Sequence, residues 1–449
     1  MRVAVVGCGH GELEKMYGVL GRLEAAGNFR VDVLLICGDF QAVRNQQDLL
    51  SMAVPEKFRQ MCDFHKYYSG ELKAPVLTIV IGGNHEASAY MDELRYGGWL
   101  APNIFYIGTA GCIRIGDLRL AGLSGIYKGH DYLKGRFERA PYDRDTVRST
   151  YHIRALDVVR LAALQGPVDI VMSHDWPQGI CEFGDEEWLR RKKPFFNEDL
   201  DSGKLGSPPT RKVLDAIRPR YWFAAHLHVK FAALVPHEDG SKTRFLALDK
   251  CLPNRDFLQV IEMPGESGAL RYDAEWLCIL RKSRHLESDS PLSSYALPAD
   301  GELAVTEDER DDLIEEWQSD LRVPDNFVQT APPFQANAPH GPVTMYENPQ
   351  TIEFVARLAG DNHTGDEQKP KRVIGLRDFI GQVGSSPTGD ELQNEQSSQL
   401  EQEERQHDEE SHETETNLAN DSADKASLLA QTPAGRTIKR RNASMYNTE

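Results

Sequence analysis

Five apolar runs in this sequence stop at residues able to ligate a metal or move a proton: Cys8-x-His10, Asp39, Asn84-His85, His174 and His226-x-His228. The plainest case is Val76–Ile81, which runs into Gly82-Gly83-Asn84-His85-Glu86, where paired glycines let the backbone turn sharply. Five of the fourteen histidines fall at such ends, more than chance placement on core strands would give. One carboxylate, one amide, several imidazoles and a thiol suit first-row transition metals better than calcium or a thiolate zinc knuckle. A single carboxylate shared between two ions, with histidines outside it, describes a two-metal phosphoesterase site. Taken singly, each residue has a plainer use: Asn84 as a strand-end turn residue, Cys8 as a small buried filler, His174 as a core histidine, Asp39 as a helix cap. Glu12, Asp175 and Asp249 suit either the orienting of ligand histidines or ordinary structural bonding.

The elements that must position these residues follow an α/β rhythm. Val3–Val6 predicts a first strand, and Leu13, Met16, Tyr17, Leu20 and Leu23 share one face of a helix stopped by Gly27-Asn28. Val31–Cys37 and Val76–Ile81 continue the βαβ pattern, and strands of such sheets collect ligands at their carboxyl ends. Ile104–Ile107 and Cys112–Ile115, joined through Gly108 and Gly111, predict a hairpin, with Leu118–Leu123 as another strand. A helix over 152–164 precedes Val168–Met172, and Tyr221–Ala225, Phe245–Leu248 and Phe257–Ile261 close the core. Farther on, a helix is expected over Asp311–Leu321. Between Ser124 and His152 the pattern turns polar, aromatic and basic, with Lys128, Arg136, Arg139 and Arg148 among Tyr132, Phe137, Tyr142 and Tyr151. Such a segment is either a solvated loop with a few packing aromatics or an insertion that stacks bases and meets phosphates; the second reading is favoured.

The chain has 449 residues and a formal charge of −18, which at first argues against a nucleic-acid partner. The acidity is concentrated, however: from Asp390 to Asp424 Arg405 is the one cation among many carboxylates. Seven scattered cysteines without a C-x-x-C pair suggest a reducing compartment, and no apolar run is long enough for a signal core or a bilayer span. These features lead us to expect an intracellular protein without a membrane partner. Lys369-Pro370-Lys371-Arg372 or Lys439-Arg440-Arg441 could serve nuclear import. The expected division is a catalytic domain at 1–265 with its insertion at 124–152, a small accessory domain at 266–360, and a disordered acidic tail at 361–449.

Gly38-Asp39 and Gly83-Asn84-His85-Glu86, with a later His174 and the His226-x-His228 pair, resemble the calcineurin-like metallophosphoesterase superfamily. Cys8-Gly9-His10-Gly11-Glu12-Leu13, Gly38-Asp39-Phe40-Gln41-Ala42-Val43-Arg44-Asn45, Ser173-His174-Asp175-Trp176-Pro177 and Ala225-His226-Leu227-His228 resemble its lariat-debranching branch more closely. Tyr127-Lys128-Gly129-His130-Asp131-Tyr132 and Leu248-Asp249-Lys250-Cys251-Leu252-Pro253 do so too, and the likeness covers roughly residues 1 to 280. It implies a β-sandwich flanked by helices and hydrolysis of 2′-5′ branches in intron lariat RNA, in the nucleus. Asp39 would bridge two divalent metals, with His10 and His228 completing one site and Cys8 at or near it. Asn84, His174 and His226 would complete the other, and His85 would act as general acid. Lys128, His130 and their neighbours in the insertion would hold the branch. Cysteine at position 8, where the superfamily usually has aspartate, favours softer ions such as Fe2+ or Zn2+ beside Mn2+. Two rival readings are another phosphatase or phosphodiesterase of the superfamily and a non-catalytic scaffold on the same fold.

Overall fold

A computed structural model describes residues 1–293, 297–299, 301–337 and 341–360. The expected disordered tail and both basic clusters near the C-terminus lie outside these residues.

Among the described residues the strands are β1 (Arg2–Val6), β2 (Val33–Ile36), β3 (Leu77–Val80), β4 (Gly98–Ala101), β5 (Ile104–Tyr106), β6 (Ala110–Ile115), β7 (Leu118–Leu123), β8 (Ile170–Ser173), β9 (Tyr221–Ala224), β10 (Phe231–Pro236), β11 (Lys242–Ala247), β12 (Leu258–Glu262) and β13 (Leu270–Tyr272). They form a six-stranded sheet, β12-β1-β2-β3-β5-β4, and a seven-stranded sheet, β10-β11-β9-β8-β7-β6-β13. The centre of each sheet is parallel: β1, β2, β3 and β5 in the first, β7, β8, β9 and β11 in the second. Parallel strands bury both faces, which is why these segments are continuous apolar runs.

Alternation along the strands divides the core into three layers. Val3, Val5, Leu35 and Ile79 of the first sheet face Ile113, Leu120, Met172 and Phe223 of the second. On the outer side of the first sheet, Ala4, Val6 and Ile36 pack beneath Leu13, Met16, Tyr17 and Leu20 of the helix Leu13–Gly27. Outside the second, Leu123, Val171 and Trp222 meet Val158 and Leu161 of the helix Ala155–Ala162 and Val213 and Leu214 of the helix Pro208–Ile217. The fold is a β-sandwich with helices on both outer faces. Leu23 stays 40% exposed, so the first helix buries residues only from Leu13 to Leu20, and Asn28 ends it in the left-handed conformation.

The predicted hairpin is corrected. Ile104–Tyr106 pairs with β3 and β4, whereas Cys112–Ile115 lies in the other sheet and pairs with β7. Gly108, at φ 103°, sits in the link by which the chain leaves one sheet for the other, so adjacent apolar runs with glycines between them here mark a crossing. The helix expected at Asp311–Leu321 runs instead over Glu307–Glu316. A Thr306–Glu309 capping box starts it early, and Gln318 and Ser319 at positive φ end it.

Residues beyond 266 build on the same cores. β13 extends the second sheet beside β6, and the helix Ala274–Ser283 places Trp276, Leu277 and Leu280 in that sheet's outer layer. The chain then runs along the first sheet's side: Trp99 Nε1 donates to Pro324 O, Tyr68 OH to Ala331 O and Asn45 Nδ2 to Pro332 O. Beneath this strap lies Arg44, fully buried. Its guanidinium donates to both oxygens of Asp48 and to Thr330 Oγ1, with the Glu93 carboxylate 2.9 Å away and the Tyr90 ring 3.9 Å from Cζ. Among the described residues, no helix is long and apolar enough to cross a membrane.

Candidate metal centre

The carboxyl ends of β1, β2, β3, β8 and β9 meet at one rim, where backbone bonds tie their loops together. Gly9 N–H donates to Gly38 O, His10 N–H to Asp39 O, Gly125 N–H to Gly82 O and Ala225 N–H to His174 O. The loops turn tightly: His10, Asp39, Gln41, His226 and His228 all have φ between 45° and 62°. Non-glycine residues in this region cost on the order of 1–3 kcal/mol each and persist only where their surroundings over-determine them. Glycine is required beside them, because a Cβ on Gly38 would meet the His174 ring and one on Gly83 would meet Asp39.

All five predicted strand ends come together. His10 Nε2 lies 3.3 Å from His228 Nε2 and 3.6 Å from Asp39 Oδ2. On the other side of Asp39, His174 Nε2 lies 3.3 Å from Oδ1 and 3.1 Å from Asn84 Oδ1. The His174 and His226 rings are 5.0 Å apart, and ligand atoms of Cys8, His10, Asp39 and His228 all lie within 4.8 Å of one another. Asp39, Cys8 and His174 form the buried floor; His10, Asn84, His85, His226 and His228 are partly exposed above it.

The donor set fits two cations. His174 Nδ1 donates to the Cys37 carbonyl at 2.7 Å, which directs Nε2 at the oxygens of Asp39 and Asn84 as the nitrogen that a cation would take. Burial, then neighbouring His174, pushes His226 down to about 3, and burial with His10 holds His228 far below its usual range, so both imidazoles are neutral donors. Burial opposes ionisation of Asp39, but His174, His85 and His10 outweigh it and hold the carboxylate well below its ordinary value. Burial likewise works against a charged His174, yet the Asp39 carboxylate raises it to about 9. A cation between them would take that proton's place. Cys8 Sγ accepts the His226 N–H at 3.2 Å, and burial and then the Asp39 charge push its thiol well up. Cys8 is thus built into the loop contacts whether or not it also ligates.

Glu86 is a functional residue that the spacing argument passed over. Its carboxylate accepts Phe40 N–H at 2.7 Å, Gln41 N–H at 2.8 Å and Gly83 N–H at 2.9 Å, buckling the Asp39 loop to the Asn84 loop. Burial and the nearby Asp39 charge lift it to about 7 against those amides. The signal was present as the last letter of Gly83-Asn84-His85-Glu86. Asp175, by contrast, accepts Tyr127 N–H and holds the insertion, while Asp249 pairs with Arg255 and accepts Lys250 N–H.

His85 N–H donates to Asp39 Oδ1 at 2.8 Å, and its ring lies 5.3 Å from that of His10, at the mouth. The insertion begins beside the second half of the site, where the Lys128 charge acts on His226 and Asp175. His130 is exposed, Tyr132 packs edge-on to Tyr127 and Tyr151 to His152, and Lys134 stands over Phe137. Arg139 is exposed and bonds the Arg136 and Glu138 carbonyls, and Arg148 bonds Arg144 O. The structure gives Arg136 and Tyr142 internal partners: Arg136 reaches Asp157 at 2.6 Å and Thr150 O, and Tyr142 OH lies 3.7 Å from Met345 Sδ. Asp131 joins His152 Nδ1 at 2.6 Å and Lys134 Nζ at 2.8 Å, and Arg154 pairs with Glu138 at 2.5 Å.

Residues 1–230 match the calcineurin-like phosphoesterase family, and residues 240–363 match the C-terminal domain of lariat debranching enzymes. Over 417 residues the chain is 47% identical to the lariat debranching enzyme of Drosophila pseudoobscura pseudoobscura, covering 81% of this chain and 77% of that one. It is 48% identical to the enzyme of Homo sapiens over 375 residues, 80% of this chain and 69% of that one. With the enzyme of Arabidopsis thaliana it shares 53% identity over 285 residues, 63% of this chain and 68% of that one.

Proposed function

Since this chain belongs to the lariat debranching enzymes, a family built on the calcineurin-like phosphoesterase domain, we propose that it hydrolyses the 2′-5′ phosphodiester at the branch point of excised intron lariat RNA. The carrying observation is that Asp39 lies between two donor groups, with His10 and His228 on one side and Asn84, His174 and His226 on the other. His10, His228 and Asp39, with Cys8 beside them, would hold one divalent cation, and Asp39, Asn84, His174 and His226 the other. When bound, such a pair supplies activation of water near neutral pH and neutralises charge at phosphorus. The soft sulfur at Cys8 points to Fe2+ or Zn2+, with Mn2+ as the hard alternative.

The chain's own groups do the rest. His226 and His228 stay neutral and ready to donate, and Cys37 O fixes which His174 nitrogen faces the site. His85, anchored through its backbone on Asp39 and open to the mouth, protonates the departing 2′-oxygen. The insertion, with Lys128 beside the centre and His130 exposed, receives the branch nucleotide. The products are a linear intron with a free 2′-hydroxyl and a 5′-phosphate, the entry point to intron turnover in the nucleus.

The test is a debranching assay on lariat RNA after chelator stripping, with Mn2+, Zn2+ or Fe2+ restored. Linear RNA should appear only on metal addition. Absence of cleavage with every ion, alongside hydrolysis of a phosphoserine peptide or a nucleotide diester, would move the chain to another activity of the superfamily.

A further inference from the structure

The insertion is tied to the His174 half of the metal centre. Tyr127 N–H is bonded to Asp175, next to His174, and the Lys128 charge acts on His226, both in the half that contains Asn84. A branch nucleotide, however, carries three strands away from one point, so a single binding segment leaves part of the RNA without a surface.

The other half has cations of its own. Lys250 follows β11 in a loop packed against the Cys8 loop: Cys251 N–H donates to Cys8 O at 3.1 Å, and Gly7 lies against the backbone of Leu248 and Asp249. A second element approaches the same half. Gly184 pairs with Ala233 of β10, the strand that begins three residues after His228, and the helix Glu186–Lys192 follows from there into Lys193-Pro194-Phe195-Phe196. Leu189 and Phe196 anchor this corner in the second sheet's outer core. The acids Asp185 and Glu187 are exposed at the start of this helix, but its far end is basic: Arg191 and Lys192 are exposed beside Trp188, which is 36% exposed, and Lys193 Nζ stands 5.4 Å over the half-buried Phe195 ring. Arg190 is already matched by Glu186 and Asp201 and is left out of the argument, while Arg191 has Glu187 only at 3.8 Å. The charges of both Lys193 and Lys250 act on His228.

We propose that this corner, Trp188, Arg191, Lys192, Lys193 and Phe195, together with Lys250, binds a single-stranded arm of the branched RNA on the His228 side, opposite the insertion. Cations interleaved with aromatic rings suit a flexible strand of any sequence, since every base has a face to stack and every linkage a charge. Continuity with the metal centre favours an RNA arm over an unrelated protein partner. The inference rests on the branched-RNA reading above and adds a surface to it.

The experiment compares the full chain with R191E/K192E/K193E on two substrates, a bare branched trinucleotide and a branch with three arms of about ten nucleotides. The loss in kcat/KM should depend on the arms: about tenfold or more on the armed branch at low salt, under about threefold on the bare one. The log–log salt dependence should flatten by about 0.7 for each phosphate contact removed. R191K/K192R/K193R should restore the armed rate. Equal losses on both substrates would assign these residues to the fold or the metal centre, and unchanged rates on both would remove them from RNA contact; either overturns the proposal. If the wild-type chain cleaves neither substrate, the debranching reading falls, and fluorescence anisotropy with labelled linear RNA decides the surface separately. Equal affinity of wild type and R191E/K192E/K193E would then overturn it.

Discussion

The metal centre and the insertion at 124–152 both carry dense polar chemistry, yet they are built in opposite ways. In the centre, side chains from five strand ends converge on Asp39, and their backbones are tied in strained, left-handed turns. Their ring nitrogens and carboxylate oxygens crowd towards one point, as His10 Nε2 and His228 Nε2 do at 3.3 Å. In the insertion, charged groups have already found internal partners: Arg136 with Asp157, Arg154 with Glu138, and Asp131 with Lys134 and the neutral ring of His152. A cation counted in a sequence is available to a ligand only where the fold has not given it an internal anion. Part of what looks like an RNA-binding segment, Arg136 above all, is internal bracing that shapes the rest of it.

The sharpest way to test that contrast is at the mouth of the centre. His85→Ala should leave metal content unchanged, because His85 meets Asp39 through its backbone, while kcat falls by ~10²–10⁴ as expected for a general acid. Loss of metal together with rate would make His85 part of the cage. One step farther out, Glu86→Gln should weaken metal binding by ~10–100-fold, read by calorimetric titration of the stripped protein, since the buckle between the Asp39 and Asn84 loops loses its charge. Unchanged affinity would mean that the backbone ties hold the loops without it.

The smallest effect at neutral pH belongs to the insertion's brace. Burial, partly offset by Asp131, pushes His152 down to about 4 from 6.5. Above pH 6.5 the ring is neutral in folded and unfolded chains alike. As the pH falls from 6.5 towards 4 the unfolded chain takes up a proton that the fold refuses, so on the order of 3 kcal/mol is lost across that window. Melting temperature should therefore fall more steeply with acid in the wild type than in His152→Gln. Parallel curves would show His152 to be charged in the fold, and the brace to be an ion pair like its neighbours.

Much of the centre could be read from residue order alone because a parallel strand and its terminal loop are local: Val33–Ile36 and Asp39, or Ile170–Ser173 and His174, are a few residues apart. Their meeting then follows from sheet topology. Partners chosen across the fold were not legible. Nothing near Arg44 announces Thr330, and nothing near Arg136 announces Asp157. The same holds for Gly108, whose role as a passage between sheets depends on which strand β6 joins. Glu86 was in plain view, but a carboxylate that accepts only backbone amides leaves no mark in the spacing of side chains.

Arg44 sits five positions beyond Asp39 and shares its guanidinium between Asp48, Glu93 and Thr330 of the strap. A cut after residue 265 would therefore unroof that group and let water compete for it at the root of the loop presenting Asp39. The phosphoesterase part of this chain is thus braced from beyond its own sheets: Thr330, 286 positions after Arg44, closes the buried group next to the loop presenting Asp39, and a fragment meant to keep that group has to include it.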